Sequence, residues 1–266
     1  MELTVAGRKV YCYSGGKTFD AALPCVVLIH GALNDHSVWT LLARWFAHHG
    51  RSVLAPDLPG HGRSEGPPLD DVESLAGWMV ALLDAAGARN AAFVGHSMGS
   101  LIALEAAARA PQRVQRLVML GTAVPMKVSD ALMQTSQHDP LKAIDMVNAY
   151  SHASTAAKPS YPGPGSWLHG SNRALMRRVQ GGQRGLNLFH HDFGICDRYA
   201  GGLAAAAEVH CPATIVIGAR DQMTSPKQAA TIAKALNARV QSVDAGHMMM
   251  SEAPDAVLAA LRGAVE

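Results

Sequence analysis

A serine flanked by glycines, in Gly95-His-Ser97-Met-Gly99, is the residue of this chain best suited to act as a nucleophile. Residues 91–95 can form a buried strand before it, and an alanine- and leucine-rich helical run follows until Pro111. A side chain at either glycine would collide with the neighbouring backbone in so sharp a strand-to-helix turn. The pattern therefore predicts a nucleophile elbow that exposes Ser97 beside a helix N-terminus, whose free N–H groups stabilise negative charge.

A base for this serine is predicted near the end of the chain. A serine hydroxyl is a poor nucleophile at neutral pH and needs a neighbouring base, which a third group holds in the right tautomer. Ligand sites of open parallel sheets lie beyond the carboxyl ends of the strands, so residues that directly follow a strand are favoured. Of the thirteen histidines, His247 follows the predicted strand 238–243 through a short turn. We therefore predict that His247 is the base.

The acid is predicted three residues beyond the preceding strand, 213–218. Asp221 occupies this position, and it lies between Ser97 and His247 in the chain. Asp244 is the main rival, but it shares one short turn with His247 and is poorly placed to face the imidazole ring. The predicted order of the catalytic residues is therefore Ser97, Asp221, His247.

Strands and helices alternate through most of the chain. Buried apolar segments predict strands at 25–30, 52–56, 91–95 and 213–218. Further strands are predicted at 114–120 and 238–243, and a strand or a hairpin broken at Gly7 within 3–13, with helical patterns between the strands. This alternation predicts an α/β protein whose mostly parallel sheet is covered by helices on both faces. The rhythm stops after residue 124 and returns near residue 200, which predicts a core of residues 1–124 and 200–266 and a helical insertion of residues 125–199.

Three stretches resemble the α/β-hydrolase family: the elbow GHSMG, the acid loop GARDQMTSP and the histidine loop AGHMMMSEAPD. The resemblance covers residues 24–124 and about 205–266. It implies an eight-stranded sheet of the α/β-hydrolase fold, a Ser-Asp-His order of catalytic residues, and a cap formed by residues 125–199 over the active site.

Attack on a carbonyl creates an oxyanion that backbone N–H groups stabilise. The elbow supplies the N–H of Met98. The second donor is expected in the loop after strand 25–30, where the resemblance points to the N–H of Ala32, with Leu33 as the alternative. His30 in the same loop is expected to hold the loop in place rather than to take part in catalysis.

Other polar and aromatic residues have less specific patterns. His61 and Arg63 belong to DLPGHGRS, which is expected to form a tight turn. His190-His191-Asp192 carries metal-binding side chains, but adjacent histidines usually point apart, so no metal is predicted. Six aromatic residues of the insertion suit either an apolar acyl pocket or the core of the cap, and both interpretations stay open: Tyr150, Tyr161, Trp167, Phe189, Phe193 and Tyr199.

Composition narrows the function classes. A net charge of +2 without a lysine and arginine cluster argues against nucleic acid and anionic membranes as partners. The N-terminus lacks a signal-peptide pattern, and no apolar run reaches the length of a spanning helix. Four widely spaced cysteines, which we interpret as reduced core residues, form no metal-binding pattern: Cys12, Cys25, Cys196 and Cys211. We expect a cytoplasmic monomer or homodimer that acts on a small molecule without a cofactor.

Three functions are compatible with these residues. The favoured one is a serine hydrolase that forms an acyl-enzyme from carboxylic esters with small to medium apolar acyl groups. The first alternative is a carbon–carbon bond hydrolase of aromatic ring-fission products, and the second is a ligand-binding protein of the same fold with residual activity. Dehalogenases and epoxide hydrolases of this fold need a carboxylate at the elbow, so serine disfavours them, and a perhydrolase or haloperoxidase-like side activity stays open.

The charge of the pocket separates the first two functions. Carbon–carbon cleavage requires the acidic groups of its substrate to be held, but nothing in the spacing of the insertion's cations directs them inward: Lys158, Arg173, Arg177, Arg178, Arg184 and Arg198. Methionines beside the predicted triad instead favour an apolar pocket for uncharged acyl groups: Met98, Met223 and Met248 to Met250.

Overall fold

The computed structural model describes residues 1–156, 166–182 and 185–266. Their eight strands span Glu2–Val5 (β1), Arg8–Tyr13 (β2), Cys25–Ile29 (β3), Ser52–Pro56 (β4), Ala91–His96 (β5), Val114–Leu120 (β6), Ala213–Gly218 (β7) and Arg239–Val243 (β8). They form one sheet in the order β1-β2-β4-β3-β5-β6-β7-β8. Strand β2 pairs antiparallel with β1 and β4, and the six strands from β4 to β8 are parallel. The predicted eight-stranded, mostly parallel sheet is confirmed.

Helices connect these strands in the alternation that the sequence predicts. In the described part of the chain they span Thr40–His48 (α1), Val72–Ala86 (α2), Met98–Arg109 (α3), Asp130–His138 (α4), Pro140–Ser151 (α5), Leu168–Gly182 (α6), Leu188–Arg198 (α7), Gly202–Ala207 (α8), Pro226–Ala235 (α9), Met249–Glu252 (α10) and Pro254–Val265 (α11). Asp35 caps a 3₁₀ helix, His36–Trp39, that leads into α1, and α2 is capped by Asp71. Within this part of the chain, none of the helices has both the length and the apolar character required to cross a bilayer.

The two faces of the sheet carry separate hydrophobic cores. Val27 and Ile29 of β3 pack into the core that contains α2 and α3, whereas Val26 and Leu28 pack into the core that contains α1 and α11. All five residues of β3 are buried, which explains why its sequence is a continuous apolar run rather than an alternating one. The central strands are thereby fixed from both sides, and their carboxyl ends form a rigid edge.

Helices α4 to α7 lie between β6 and α8 in the chain. Helix α5 packs against α4, α6 and α7, and α7 also contacts α3 of the core. The division into domains at residues 124/125 and 199/200 stays a prediction. The proline- and glycine-rich stretch 159–165, whose composition predicts a loop, and the residues Lys158, Tyr161 and Arg184 lie outside the described residues.

The four cysteines are free thiols. Cys12, Cys25 and Cys196 are buried as expected, but Cys211, in the loop before β7, is only partly buried. Burial raises the pKa of the Cys25 thiol to about 12, so this group stays protonated and unreactive at neutral pH.

Candidate active site

Ser97 sits in a strained turn between β5 and α3. Its backbone has φ 53° and ψ −121°, a conformation that a non-glycine residue adopts only when its surroundings impose it. A Cβ at Gly95 would meet the carbonyl oxygen of Gly99, and one at Gly99 would meet that of Ile29. Both glycines therefore permit a close backbone approach, and the tight turn places Ser97 in the wall of a cavity.

His247 follows β8 and faces Asp221, which follows β7. The Nδ1 of His247 donates to Oδ2 of Asp221 at 2.8 Å, and both side chains are buried. Because Nδ1 carries this proton in the neutral ring, Nε2 is the basic nitrogen. His247 lines the same cavity as Ser97. The structure thus brings together the three side chains that the sequence predicted to act as a unit.

Asp221 is held as a carboxylate by a dense set of donors. Its Oδ1 accepts from the N–H groups of Met223 at 2.8 Å and Thr224 at 2.9 Å, and its Oδ2 also accepts from the Thr224 hydroxyl at 2.8 Å. Burial by itself would raise the pKa of Asp221, but the charge and hydrogen bond of His247 and the Thr224 donors outweigh it and lower this pKa to about 2. Asp221 is therefore negative at neutral pH and able to stabilise an imidazolium.

Asp244, the rival acid, points away from this site. Its side chain is exposed and pairs with Arg220, with 2.9 Å between Nε and Oδ1. The structure does not bring Asp244 to the imidazole of His247, although the two residues are only three positions apart.

Two residues that the sequence analysis did not consider fix the loop of His247. His96 donates through Nε2 to the backbone carbonyl of His247 at 2.9 Å, and burial lowers the pKa of His96 to about 3, so it stays neutral. Glu252 accepts from the N–H groups of Gly246 at 3.1 Å and Ala153 at 2.8 Å. Both residues stand inside the motifs already quoted, GHSMG and AGHMMMSEAPD, which is the only sequence signal that they carry.

The two candidates for the second oxyanion donor differ in their partners. The N–H of Leu33 donates to Oδ2 of Asp192 at 2.8 Å, so it is already used. Ala32 lines the cavity with Ser97, and Met98 is the first residue of α3, where backbone N–H groups have no acceptor within the helix. The geometry therefore favours Ala32 over Leu33 as the partner of Met98.

Asp192 of α7 forms a buried ion pair with the core. Its Oδ2 lies 2.8 Å from Nε2 of His61, and its Oδ1 lies 3.2 Å from Nδ1 of His191. Burial opposes its ionisation, but His61, His191 and the Leu33 N–H hold the pKa of Asp192 well below its usual range. The sequence predicts only a turn-forming role for His61, because its partner Asp192 lies 131 residues away in the chain and no local pattern connects the two residues.

Two other predicted histidine roles can be compared with the contacts. His30 donates through Nδ1 to the Gly31 carbonyl at 2.9 Å and accepts the Leu58 N–H at Nε2 at 3.1 Å, so it holds the loop as expected. Burial and the neighbouring His61 lower the pKa of His30 to about 4. His190 contacts Ser136 through Nδ1 at 2.9 Å whereas His191 faces Asp192, so the adjacent histidines do point apart.

One side-chain cluster has the composition of a metal site. One ligand atom from each of Asp35, His36 and Asp57 lies within 4.8 Å of the others. These carboxylates already accept hydrogen bonds, since Arg178 reaches Oδ2 of Asp35 at 2.6 Å and the His36 N–H reaches Oδ1 of Asp57 at 2.8 Å. Donors of the protein itself therefore already pair with these carboxylates, and the cluster does not require a bound cation.

The cavity lined by Ser97 and His247 is mainly apolar and has a volume of about 240 Å³. Helices α4, α5 and α7 and the segment before α4 supply most of its apolar wall, with Met223 from the core: Met126, Val128, Leu132, Met146, Val147, Phe193 and Met223. Tyr150 and Phe193 line the cavity, and Phe189, Phe193 and Tyr199 are buried in the hydrophobic core, so Phe193 belongs to both sets.

The described arginines of the insertion have partners elsewhere. Arg173 and Arg177 pair with Asp145, Arg178 pairs with Asp35, and Arg198 donates to a backbone carbonyl. Among the described residues, Lys127 is the only lysine or arginine that lines this cavity, and its Nζ donates to the Asp197 carbonyl at 2.6 Å. The cavity wall therefore offers little positive charge for an acidic substrate.

Comparisons with known proteins agree with this fold. Residues 24–149 match the family model described as the alpha/beta hydrolase fold. A 2-hydroxymuconate semialdehyde hydrolase of Pseudomonas putida is 36% identical over 125 residues, which cover 46% of this chain and 42% of that protein. The chain spans about a third to a half of the length of the first curated relatives that it matches.

Solved structures superimpose over nearly the whole chain. The enol-lactonase from Burkholderia xenovorans has a TM-score of 0.84 at 22% identity, covering 99% of this chain and 98% of that one. An esterase from Exiguobacterium antarcticum has a TM-score of 0.83 at 17% identity, covering 100% and 98%. Sheet order, elbow geometry, the family model and these superpositions agree that the chain has the α/β-hydrolase fold.

Proposed function

We propose that this chain is a cofactor-independent serine hydrolase in which Ser97 is the nucleophile, His247 the base and Asp221 the acid. The observation that supports this most strongly is the 2.8 Å contact between His247 and Asp221 at a cavity that Ser97 also lines. An orienting carboxylate, an imidazole with its second nitrogen free, and a serine on a strained elbow are the parts that acyl transfer requires.

The reaction follows from these roles in two steps. Ser97 Oγ attacks the carbonyl carbon of the ester while its proton moves to Nε2 of His247, and the resulting oxyanion is stabilised by the N–H groups of Ala32 and Met98. The imidazolium gives this proton to the departing alkoxide, which leaves an acyl-enzyme and an alcohol. Water then attacks the acyl carbon, gives a proton to His247 and releases the carboxylic acid, and Ser97 recovers its proton.

We further propose that the substrates are carboxylic esters with small to medium apolar acyl groups. The apolar wall and the volume of about 240 Å³ support this class, since such a cavity gains affinity by removing apolar surface from water. The test is hydrolysis of p-nitrophenyl esters, for which kcat/KM is expected to rise from acetate towards butyrate. Absence of hydrolysis for every chain length would contradict the proposal.

A carbon–carbon bond hydrolase is the second candidate, because one curated relative is a 2-hydroxymuconate semialdehyde hydrolase. That chemistry requires the acidic groups of a ring-fission product to be held, and the described cavity wall carries a single cation, Lys127. Dienoate ring-fission products are therefore expected to be turned over no better than the esters. Rapid turnover of such a dienoate with negligible esterase activity would favour the second candidate.

A further inference from the structure

A small inner pocket adjoins the larger cavity at Ser97 and His247, and the proposed reaction does not use it. This inner pocket has room of about 20 Å³, enough for one small polar group, and Ser97 and His247 both line it. Besides Ser97 and His247, its polar residues are Asn34, His96, Ser151 and Asn172, and the other half of its lining residues are apolar. Asn34, His96 and Asn172 are each less than a tenth exposed.

Three residues of this wall each carry a buried polar atom without a hydrogen-bond partner among the described residues: Asn34 at Oδ1, His96 at Nδ1 and Asn172 at Oδ1. Buried polar atoms are nearly always paired, because an unpaired one keeps its full desolvation penalty. Three such atoms around one pocket next to the nucleophile therefore indicate that a ligand group completes their hydrogen bonding.

The orientation of Asn172 follows from its neighbour on α5. Asn148 donates through Nδ2 to the Ile144 carbonyl at 2.9 Å, and a carbonyl can only accept, so Oδ1 of Asn148 is left as an acceptor. Asn172 must then present its Nδ2 to this oxygen, at 2.9 Å. The free atom of Asn172 is therefore its carbonyl oxygen, which is an acceptor.

The other two free atoms are acceptors for the same kind of reason. Asn34 uses Nδ2 to donate to the Ala32 carbonyl at 3.3 Å, which leaves Oδ1. His96 uses its Nε2 proton on the His247 carbonyl, which leaves a lone pair on Nδ1. The Ser151 hydroxyl donates to the Val147 carbonyl at 2.7 Å, so it adds no free donor.

We propose that the inner pocket is a specificity subsite that binds a hydroxyl or N–H group of the substrate, close to the scissile carbonyl, through Asn34 and Asn172. It rests on the proposed ester hydrolysis, in which the apolar part of the substrate occupies the larger cavity. A carboxylate offers no donor to these acceptors and is excluded, whereas an alkyl group leaves them unpaired.

The experiment compares matched esters that differ only in one group. Ethyl 2-hydroxybutyrate and ethyl 3-hydroxybutyrate are measured against ethyl 2-methylbutyrate and ethyl 3-methylbutyrate, each kcat/KM being divided by the rate constant for hydrolysis by hydroxide. At least one hydroxy ester is expected to exceed its methyl analogue by about tenfold, as one satisfied buried hydrogen bond allows. Ratios at or below one for both pairs overturn the subsite.

Variants assign the effect to the two amides. Asn172→Leu and Asn34→Leu remove the acceptor while keeping side-chain size, and each is expected to reduce the hydroxy-to-methyl ratio to within about twofold of one. Asn90→Leu, in the loop before β5 at the opposite edge of the sheet, is the matched control and is expected to keep the ratio. An unchanged ratio in both pocket variants contradicts the assignment.

A binding measurement separates this proposal from the proposed function. Calorimetric titration of the wild-type protein with 2-hydroxybutyramide and 2-methylbutyramide requires no turnover. The hydroxyamide is expected to bind about tenfold more tightly. Tighter hydroxyamide binding without ester hydrolysis would keep the subsite and reject the esterase, whereas equal affinities together with ester hydrolysis would reject the subsite alone.

Discussion

The strand-end loops and the inserted helices α4 to α7 contribute to the candidate site in different ways. The loops supply Ser97, Asp221 and His247, each directly after a parallel strand, and their positions follow from the backbone of the sheet. The helices supply the apolar side chains opposite, such as Leu132 and Val147. Chemistry therefore resides in a geometry that recurs wherever the fold does, whereas selectivity resides in side chains that can change without disturbing the sheet.

The two regions nevertheless depend on each other. Asp192 of α7 takes the N–H of Leu33 and pairs with His61, so an inserted helix determines which backbone donors remain for an oxyanion. Glu252 joins the His247 loop to Ala153, just after α5. The comparison can be tested by substitutions in each region, with losses of different size and kind.

Ser97→Ala should have the largest effect. Removing the nucleophile while keeping both elbow glycines should lower kcat by roughly 10⁶-fold and abolish covalent labelling by a fluorophosphonate, with the fold intact. Mass spectrometry of the labelled protein and circular dichroism check both points. Labelling that persists in the variant would show that another residue is the nucleophile.

Asp221→Asn should follow, since it removes the charge that stabilises the imidazolium but keeps the shape of the side chain. We expect kcat to fall by about 10²- to 10⁴-fold, measured by steady-state ester hydrolysis. Asp244→Asn is the matched control, because its carboxylate faces Arg220 at the surface, and it should lose far less. A larger loss in Asp244→Asn than in Asp221→Asn would show that the acid is Asp244, after β8, and not Asp221, after β7.

Asp192→Asn tests the link between the regions through stability. Breaking a buried ion pair should lower the free energy of unfolding by about 3 kcal/mol in urea titrations, whereas Asp145→Asn, which breaks half-exposed pairs between α5 and α6, should cost less than about 1 kcal/mol. Equal losses in the two variants would show that Asp192 contributes no more than a surface charge.

The loss should also depend on pH in a defined way. The pKa of Asp192 is lowered on folding, so its contribution is present above its unfolded value of about 4 and disappears as the pH falls towards the folded one. Burial lowers the pKa of His61 but Asp192 raises it more, so this contribution is present below about 6.5 and disappears as the pH rises through the folded pKa. Asp192→Asn should therefore cost most between about pH 4 and 6.5.

Leu132→Phe should have the smallest effect and a different character. The larger ring narrows the cavity from the α4 side, so the preference for butyrate over acetate should fall by about tenfold with little change in kcat for acetate. Leu141→Phe, at an exposed position of α5, is the control and should keep the wild-type preference. The ratio of kcat/KM for the two p-nitrophenyl esters measures the effect. An unchanged ratio in Leu132→Phe would show that these helices do not contribute to the choice of acyl group.

The sequence by itself determined the sheet and the edge that carries the candidate site. Buried strands read as continuous apolar runs, and the elbow requires small residues at Gly95 and Gly99 because the backbone approaches closely there. These are local rules, so strands 52–56 and 114–120 were predicted to the residue. A local rule also favoured Asp221 over Asp244 as the partner of His247, because Asp244 shares one short turn with that histidine.

Only the tertiary structure decided which groups the fold leaves unpaired. The choice of Ala32 over Leu33 depends on Asp192, 159 residues away, and the free oxygen of Asn172 depends on Asn148 and through it on Ile144. Turn patterns and helical periodicity describe neighbours within a few positions of the chain, and they carry no information about which distant donor meets which acceptor. Such pairings are fixed when helices α4 to α7 pack on the sheet, because each buried polar group then meets a partner or stays unpaired.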